Sequence, residues 1–89
     1  MQHPFLFDLS PSIFYSRTVL QYSLPFPGWF EITLYDAVGR RVETIESGIC
    51  DVLEGEVKYR VPVGLRGGIY FFVARFQERT VIKKAIVLK

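Results

Sequence analysis

Side chains that perform catalysis or bind metals are few in this 89-residue sequence, and they are dispersed. The only histidine is His3, beside the N-terminus, and the only cysteine is Cys50. A nucleophile needs a base within reach and a zinc ion needs clustered ligands, so this pair suggests neither site. The carboxylates are dispersed, and the nearest approach to a cluster on a loop, Asp51 and Glu54, is sparser than the ligands of a calcium loop. We therefore expect no catalytic residue, no metal and no cofactor, and a protein that is not an enzyme.

The composition also disfavours phosphate and nucleic acid as ligands. The segment Gly64–Gly68 lacks the lysine and the helix that follow the glycines of a phosphate-binding loop. The chain has 11 basic and 9 acidic residues, and its net charge of +2 does not indicate a nucleic-acid partner. No run approaches about 18 apolar residues, so we expect no transmembrane segment. No signal peptide is visible, which predicts either a cytosolic chain or a mature fragment or excised domain.

The other segments are arranged around the residues that follow a Gly-Gly pair. Gly67 and Gly68 allow a sharp turn, and the chain then stays almost continuously apolar as far as Phe76. Alternate residues of a strand point to opposite faces, and here both faces are apolar. One face holds Ile69, Phe71 and Val73, and the other holds Tyr70, Phe72, Ala74 and Phe76. We expect a central strand, or one whose face formed by Tyr70, Phe72 and Phe76 meets another molecule.

The remaining sequence indicates short strands separated by turns. Apolar and polar side chains alternate in residues 17–24, 29–36, 40–46, 56–62 and 80–89. Gly39 is the expected positive-φ residue of the turn that follows Asp36, whose carboxylate can accept hydrogen bonds from turn N–H groups. No segment repeats apolar residues at helical spacing. This pattern predicts an all-β antiparallel β-sandwich with little or no helix.

The N-terminal segment, residues 1–16, is apolar but irregular in pattern. Such a segment is unfavourable in water, so it either folds back as an edge strand or adds to the sheet of a neighbouring molecule. We therefore divide the chain into this segment or edge strand, 1–16, and a sandwich domain, 17–89.

Four motifs, in order along the chain, resemble a known module. Tyr22–Pro25 is similar to a first strand ending in Leu-Pro, and Leu34–Val42 to a hydrophobic-Tyr-Asp-x-x-Gly-Arg-x-Val hairpin. Leu65–Phe71 resembles a Leu-x-x-Gly-x-Tyr-Phe signature, and Lys83–Lys89 resembles a closing strand. Together they resemble the immunoglobulin-like C-terminal domain of proteins exported by the bacterial type IX secretion system. They also resemble the similar domain of flagellar hook-capping proteins.

The resemblance implies an immunoglobulin-like sandwich of about seven strands. It also implies a sorting and anchoring module, located outside the cell or at its surface, with the secretion machinery as its protein partner. The implied recognition or structural residues are Tyr35, Asp36, Gly39, Arg40, Leu65, Gly68, Tyr70, Lys83 and Lys84.

The apolar content supports an alternative, a structural subunit of a self-assembling extracellular filament. Hydrophobic residues make up 49% of the chain, which can exceed what one small core hides. The N-terminal segment would join such subunits by β-strand addition, giving a homo-oligomer or polymer. The candidate residues for self-association are Phe5, Leu6, Phe7, Leu9, Tyr70, Phe72 and Phe76.

Overall fold

The computed structural model describes residues 4–89, and within them the chain forms eight strands and no helix. His3 lies outside the described residues. The strands are β1 (Leu6–Ser10), β2 (Ile13–Phe14), β3 (Arg17–Ser23), β4 (Gly28–Asp36), β5 (Arg41–Cys50), β6 (Glu54–Arg60), β7 (Gly68–Phe76) and β8 (Arg79–Val87).

The strands form two sheets packed face to face. One sheet has the order β1-β3-β6 and the other the order β2-β8-β7-β4-β5. All pairs are antiparallel except β2–β8, in which the N–H groups of Ile86 and Leu88 donate to the carbonyls of Ser12 and Phe14, both at 2.8 Å. This is the predicted all-β sandwich, without helix. It has eight strands because the chain crosses between the sheets after Ser10 and then forms the two-residue strand β2.

The core lies between the sheets and is built from the apolar faces that alternation predicted. Leu20 of β3, Ile32 of β4 and Phe72 of β7 are fully buried. Tyr59 and Val61 are buried at the end of β6, while Lys58 and Arg60 are exposed, as predicted. Burying such side chains is the main favourable contribution to folding.

A partly buried polar contact joins the two sheets. The Tyr59 hydroxyl, on β6, donates a hydrogen bond to the Glu43 carboxylate, on β5. The Tyr59 ring also meets Phe72 edge to face, with centroids 5.5 Å apart. Burial, and then the bond to Glu43, raises the pKa of the Tyr59 hydroxyl above its usual range. Tyr59 therefore contributes both apolar burial and a charge-assisted hydrogen bond.

The N-terminal segment takes the first of its two predicted alternatives, because β1 folds back as an edge strand. It pairs with β3 of the same chain, with Phe7 opposite Tyr22 and Leu9 opposite Leu20. Phe7 and Leu9 are 3% and 7% exposed, and both belong to the core. Phe5 packs on Phe76, with ring centroids 5.7 Å apart.

The structure corrects the predicted second face of β7. Tyr70, Phe72 and Phe76 point inwards and are at most 6% exposed, because the three-stranded sheet and the N-terminal segment cover them. They therefore offer no surface for self-association in the folded chain, and neither do Phe7 and Leu9. Of the candidate residues, Leu6 is exposed and Phe5 is half-buried. The outward apolar face of β7 is formed instead by Ile69, Phe71 and Val73.

Candidate recognition surface

The hairpin between β4 and β5 is held by Asp36, as predicted. One carboxylate oxygen, Oδ1, accepts the N–H groups of Val38 at 3.0 Å and Arg40 at 2.9 Å. The other, Oδ2, accepts the Arg40 Nε–H at 3.1 Å. Gly39 has φ +86°, a conformation that L side chains rarely adopt. The Arg40 backbone bond, followed by the Val38 N–H and the Arg40 charge, lowers the pKa of the Asp36 carboxyl.

Replacing Asp36 is expected to loosen this hairpin in a pH-dependent way. Asp36→Ala removes both acceptors and lowers the melting temperature at pH 7, whereas Asp36→Asn keeps one acceptor oxygen and lowers it less. Because the folded pKa lies below the unfolded value of 3.8, the carboxylate stabilises the fold above that pH. This contribution disappears as the pH falls through the folded pKa. Melting curves from pH 7 to about 2 should therefore show the wild-type protein converging on Asp36→Asn, because the protonated carboxyl keeps one acceptor oxygen as the amide does. A constant difference would contradict this account.

Tyr70 secures the connection that leads into β7. Its ring is buried, and its hydroxyl donates a 2.6 Å hydrogen bond back to the carbonyl of Arg66. A tyrosine near the start of a strand that bonds to the backbone a few residues upstream is the tyrosine corner of immunoglobulin-like sandwiches. Gly68 begins the strand with φ +148°, and Leu65 packs against the core. The Leu-x-x-Gly-x-Tyr signature is therefore explained by backbone geometry and packing.

Removal of the Tyr70 hydroxyl is expected to destabilise the domain. In Tyr70→Phe the ring keeps its place, but the Arg66 carbonyl loses its partner, so we expect a loss of about 1–3 kcal/mol in the free energy of unfolding. Urea denaturation of the wild-type and variant proteins measures this difference. Tyr15→Phe is the matched control, because Tyr15 is 71% exposed. Equal midpoints for the Tyr70 and Tyr15 variants would show that the corner bond does not contribute.

The hairpin motif, Leu34–Val42, and the Leu65–Phe71 signature lie together at one end of the sandwich. Asp36 and Tyr70 are directly opposite each other in the β4–β7 ladder. The hairpin and the Arg66–Tyr70 connection line one open cavity of about 250 Å³. Residues distant in sequence are thus brought together, although the polar groups of Asp36 and Tyr70 are already used within the fold.

The structure does not bring Lys83 and Lys84 to this cavity. They lie further along β8 and point to opposite faces of its sheet. Lys83 is half-buried beside β1, where it lines a cavity with Leu6 and Asp8. Lys84 is exposed on the outer face, opposite Phe71, and Phe71 is in turn opposite Tyr35.

An exposed apolar area covers the outer face of the sheet beside these residues. We name it the closing face, and it consists of Ile13, Ile69, Phe71, Ile82, Lys84 and Ile86. Ladder pairing places Ile86 between Ile13 and Ile69. Ile82, Ile13 and Ile69 are 60%, 54% and 42% exposed. The sequence showed the β8 alternation but did not identify its outer side, because Val81, Ala85 and Val87 of the inner side are apolar as well.

Cys50 lies at the end of β5. Its thiol donates to the Val52 carbonyl at 3.3 Å, and the Tyr22 hydroxyl lies 3.7 Å from its sulfur. Burial, followed by this contact, raises the pKa of Tyr22 to about 12. The thiol is thus held by partners within the fold.

Comparison with models of known protein families and with curated proteins found no match. Within residues 4–89, no three His, Cys, Asp or Glu side chains come together as metal ligands. The same residues contain no helix with the length and apolar character needed to cross a membrane.

Proposed function

We propose that this chain is a non-catalytic module of exported or cell-surface proteins, which directs and anchors them as the type IX sorting domain does. The observation that carries the proposal is the closing face. It includes residues of β7 and β8, the two strands that contain the Leu-x-x-Gly-x-Tyr-Phe signature and the closing motif, together with Ile13 of β2. Of its isoleucines, Ile13, Ile69 and Ile82 are exposed. Contiguous exposed apolar areas mark protein-binding sites.

Two further features support a signal that is recognised as a folded domain. The candidate motif residues Asp36, Gly39, Gly68 and Tyr70 stabilise turns, so the motif preserves a shape. The N-terminal strand is paired within its own chain, which leaves a self-contained domain that a passenger can carry. In this proposal the partner binds the closing face by apolar contact, and Lys84 adds a positive charge at its centre.

The filament alternative requires β1 to leave β3. Phe7 and Leu9 would then lose their places in the core of their own chain. A neighbouring chain would have to replace all five residue pairs of the β1–β3 ladder, from Leu6–Ser23 to Ser10–Val19. The self-contained sorting module is therefore the function that this geometry favours.

A secretion experiment tests the proposal. A periplasm-targeted reporter is fused in front of residues 1–89 and expressed in a host with a type IX system. We expect it at the cell surface, and we expect Ile69→Lys and Ile82→Lys to retain it in the periplasm. Ile49→Lys is the matched control, since Ile49 is 79% exposed on β5, at the opposite edge of the sheet.

Each arm of this experiment addresses a different part of the proposal. If the reporter with the unaltered domain stays in the periplasm, the chain is not a sorting module. If Ile82→Lys and Ile49→Lys are both delivered normally, the sorting role stands but the closing face is not its recognition surface.

A further inference from the structure

Strand β6 leaves one edge of the three-stranded sheet open. It pairs with β3 on one side, and within residues 4–89 no strand pairs with its other side. An open edge presents backbone N–H and C=O groups that another strand can bind. We propose that two copies of this chain associate along this edge, with β6 antiparallel to β6 of the second copy about a twofold axis at Val57. This inference is independent of the sorting role.

The charge order of β6 is self-complementary. Its outward side chains are Glu54, Glu56, Lys58 and Arg60, two acidic residues followed by two basic ones, and all four are exposed. In an antiparallel pair centred on Val57, Glu56 faces Lys58 of the second copy, and Glu54 faces Arg60. The twofold axis repeats both contacts, so four opposite-charge pairs form on one face of the joined sheet. Directly opposed side chains lie about 5 Å apart, which is close enough for ion pairing.

These four charges have no opposite-charge partner within the sheet of their own chain. The β3 residues opposite them are Ser23, Gln21, Val19 and Arg17, in the order from Glu54 to Arg60. Three of these are neutral, and Arg17 repels Arg60 because like charges directly opposite are unfavourable. Within residues 4–89, the ion pairs are Arg40–Asp36 and Arg75–Glu31, and neither involves β6. A second β6 supplies the missing charges.

The charge order also selects one register and one direction. A parallel pair in register would place each charged residue opposite the same residue of the second copy, so that like charges face each other. An antiparallel pair shifted by two residues would place Glu56 opposite Glu56, or Lys58 opposite Lys58. A shift by one residue would send the facing charges to opposite faces of the sheet. Charges that only keep an edge soluble need no such order, whereas a change of sign at Val57 fits a second copy.

Sedimentation over a concentration series tests the proposal. We expect a reversible monomer–dimer equilibrium that weakens as salt is added, because exposed ion pairs are screened. Glu56→Lys converts two attractive contacts per dimer into repulsive ones and should weaken dimerisation by about tenfold or more. Glu78→Lys is the matched control, because it makes the same charge change on an exposed turn of the other sheet, outside the β6 edge, and should leave dimerisation unchanged. A monomer at all concentrations, or equal effects of both variants, would overturn the proposal.

Complementary variants make the test independent of any single substitution. Glu54→Lys/Glu56→Lys carries four positive charges on β6, and Lys58→Glu/Arg60→Glu carries four negative ones. Circular dichroism confirms that each variant is folded. Each should then be monomeric alone, and an equimolar mixture should form a heterodimer. A mixture that stays monomeric counts against charge-matched pairing.

Amide hydrogen exchange separates edge pairing from stacking of the two sheet faces, which could match the same charges. In the edge pair, the backbone N–H groups on the open edge of β6 donate hydrogen bonds to the second copy. Their exchange should therefore slow as the protein concentration rises, and Glu56→Lys should abolish this slowing. Unprotected β6 amides in a charge-dependent dimer would overturn edge pairing.

Discussion

Replacing Phe72 with alanine is expected to remove about 3–5 kcal/mol from the free energy of unfolding. Phe72 is fully buried at the middle of β7, between Leu34 of β4 and Lys83 of β8 in the ladder. Its ring meets Tyr59 across the two sheets. The cavity left by alanine would remove contacts from both sheets at once. Since a small domain has about 5–15 kcal/mol of stability in total, this variant should be close to unfolding at 37 °C.

Phe71 provides a matched control for this substitution. It is the same residue type at the adjacent position, but it points outwards and is half-buried. Phe71→Ala should lower the free energy of unfolding by about 1 kcal/mol, because a half-buried ring buries less apolar surface than the fully buried ring of Phe72. Urea denaturation followed by Trp29 fluorescence measures both values. In the secretion experiment the Phe71 variant remains folded, so it also reports on the closing face. Equal losses of stability for the two variants would contradict the assignment of the inner face.

Replacing Phe7 with alanine is also expected to lower the free energy of unfolding by about 3–5 kcal/mol. Phe7 lies on an edge strand near the N-terminus, where substitutions are usually tolerated. Here it is 3% exposed in the shared core. Leu6, its neighbour on the outward face, is 57% exposed, so Leu6→Ala should change stability by no more than about 0.5 kcal/mol. Thermal denaturation of the two variants measures the difference.

The same substitution distinguishes a strand that is paired within its own chain from one supplied by a neighbour. If β1 serves its own chain, Phe7→Ala lowers the melting temperature by the same amount at every protein concentration. If a neighbouring chain supplies β1, the melting temperature rises with concentration, and the effect of Phe7→Ala is largest in concentrated samples. Since association along β6 also stabilises the fold, the comparison belongs in the monomeric Glu54→Lys/Glu56→Lys background.

Strand positions and the all-β class could be predicted from the sequence because the signals are local. In β6 one side of the alternation is entirely charged, so the pattern itself identifies the buried side. In β7 both sides are apolar, and the choice between Phe71 and Phe72 depends on which sheet covers the strand. This information is carried by pairings with distant segments. For the same reason the sequence alone did not show that Val87, and not Ile86, faces the core.

The candidate site was predictable in its parts but not in its arrangement. Asp36 and Gly39 follow from turn chemistry, and the buried ring of Tyr70 follows from the amphipathic character of tyrosine. Their meeting at one end of the sandwich depends on the β4–β7 register. The closing face depends on Ile13, which reaches it only because the chain changes sheets after Ser10. The irregular pattern of residues 1–16 does not show that the chain changes sheets there.

The parallel pairing of β2 with β8 has a mechanical consequence. β2 lies near the N-terminal end of the chain and β8 near the other end, and both run in the same direction. A force that pulls the two ends apart acts first on β1, which is paired with β3, and then along this pair, where the hydrogen bonds from Ile86 and Leu88 carry the load together. An antiparallel pair pulled at its open end would release its bonds one at a time. A passenger attached ahead of β2 would thus be tethered through the arrangement that best resists pulling.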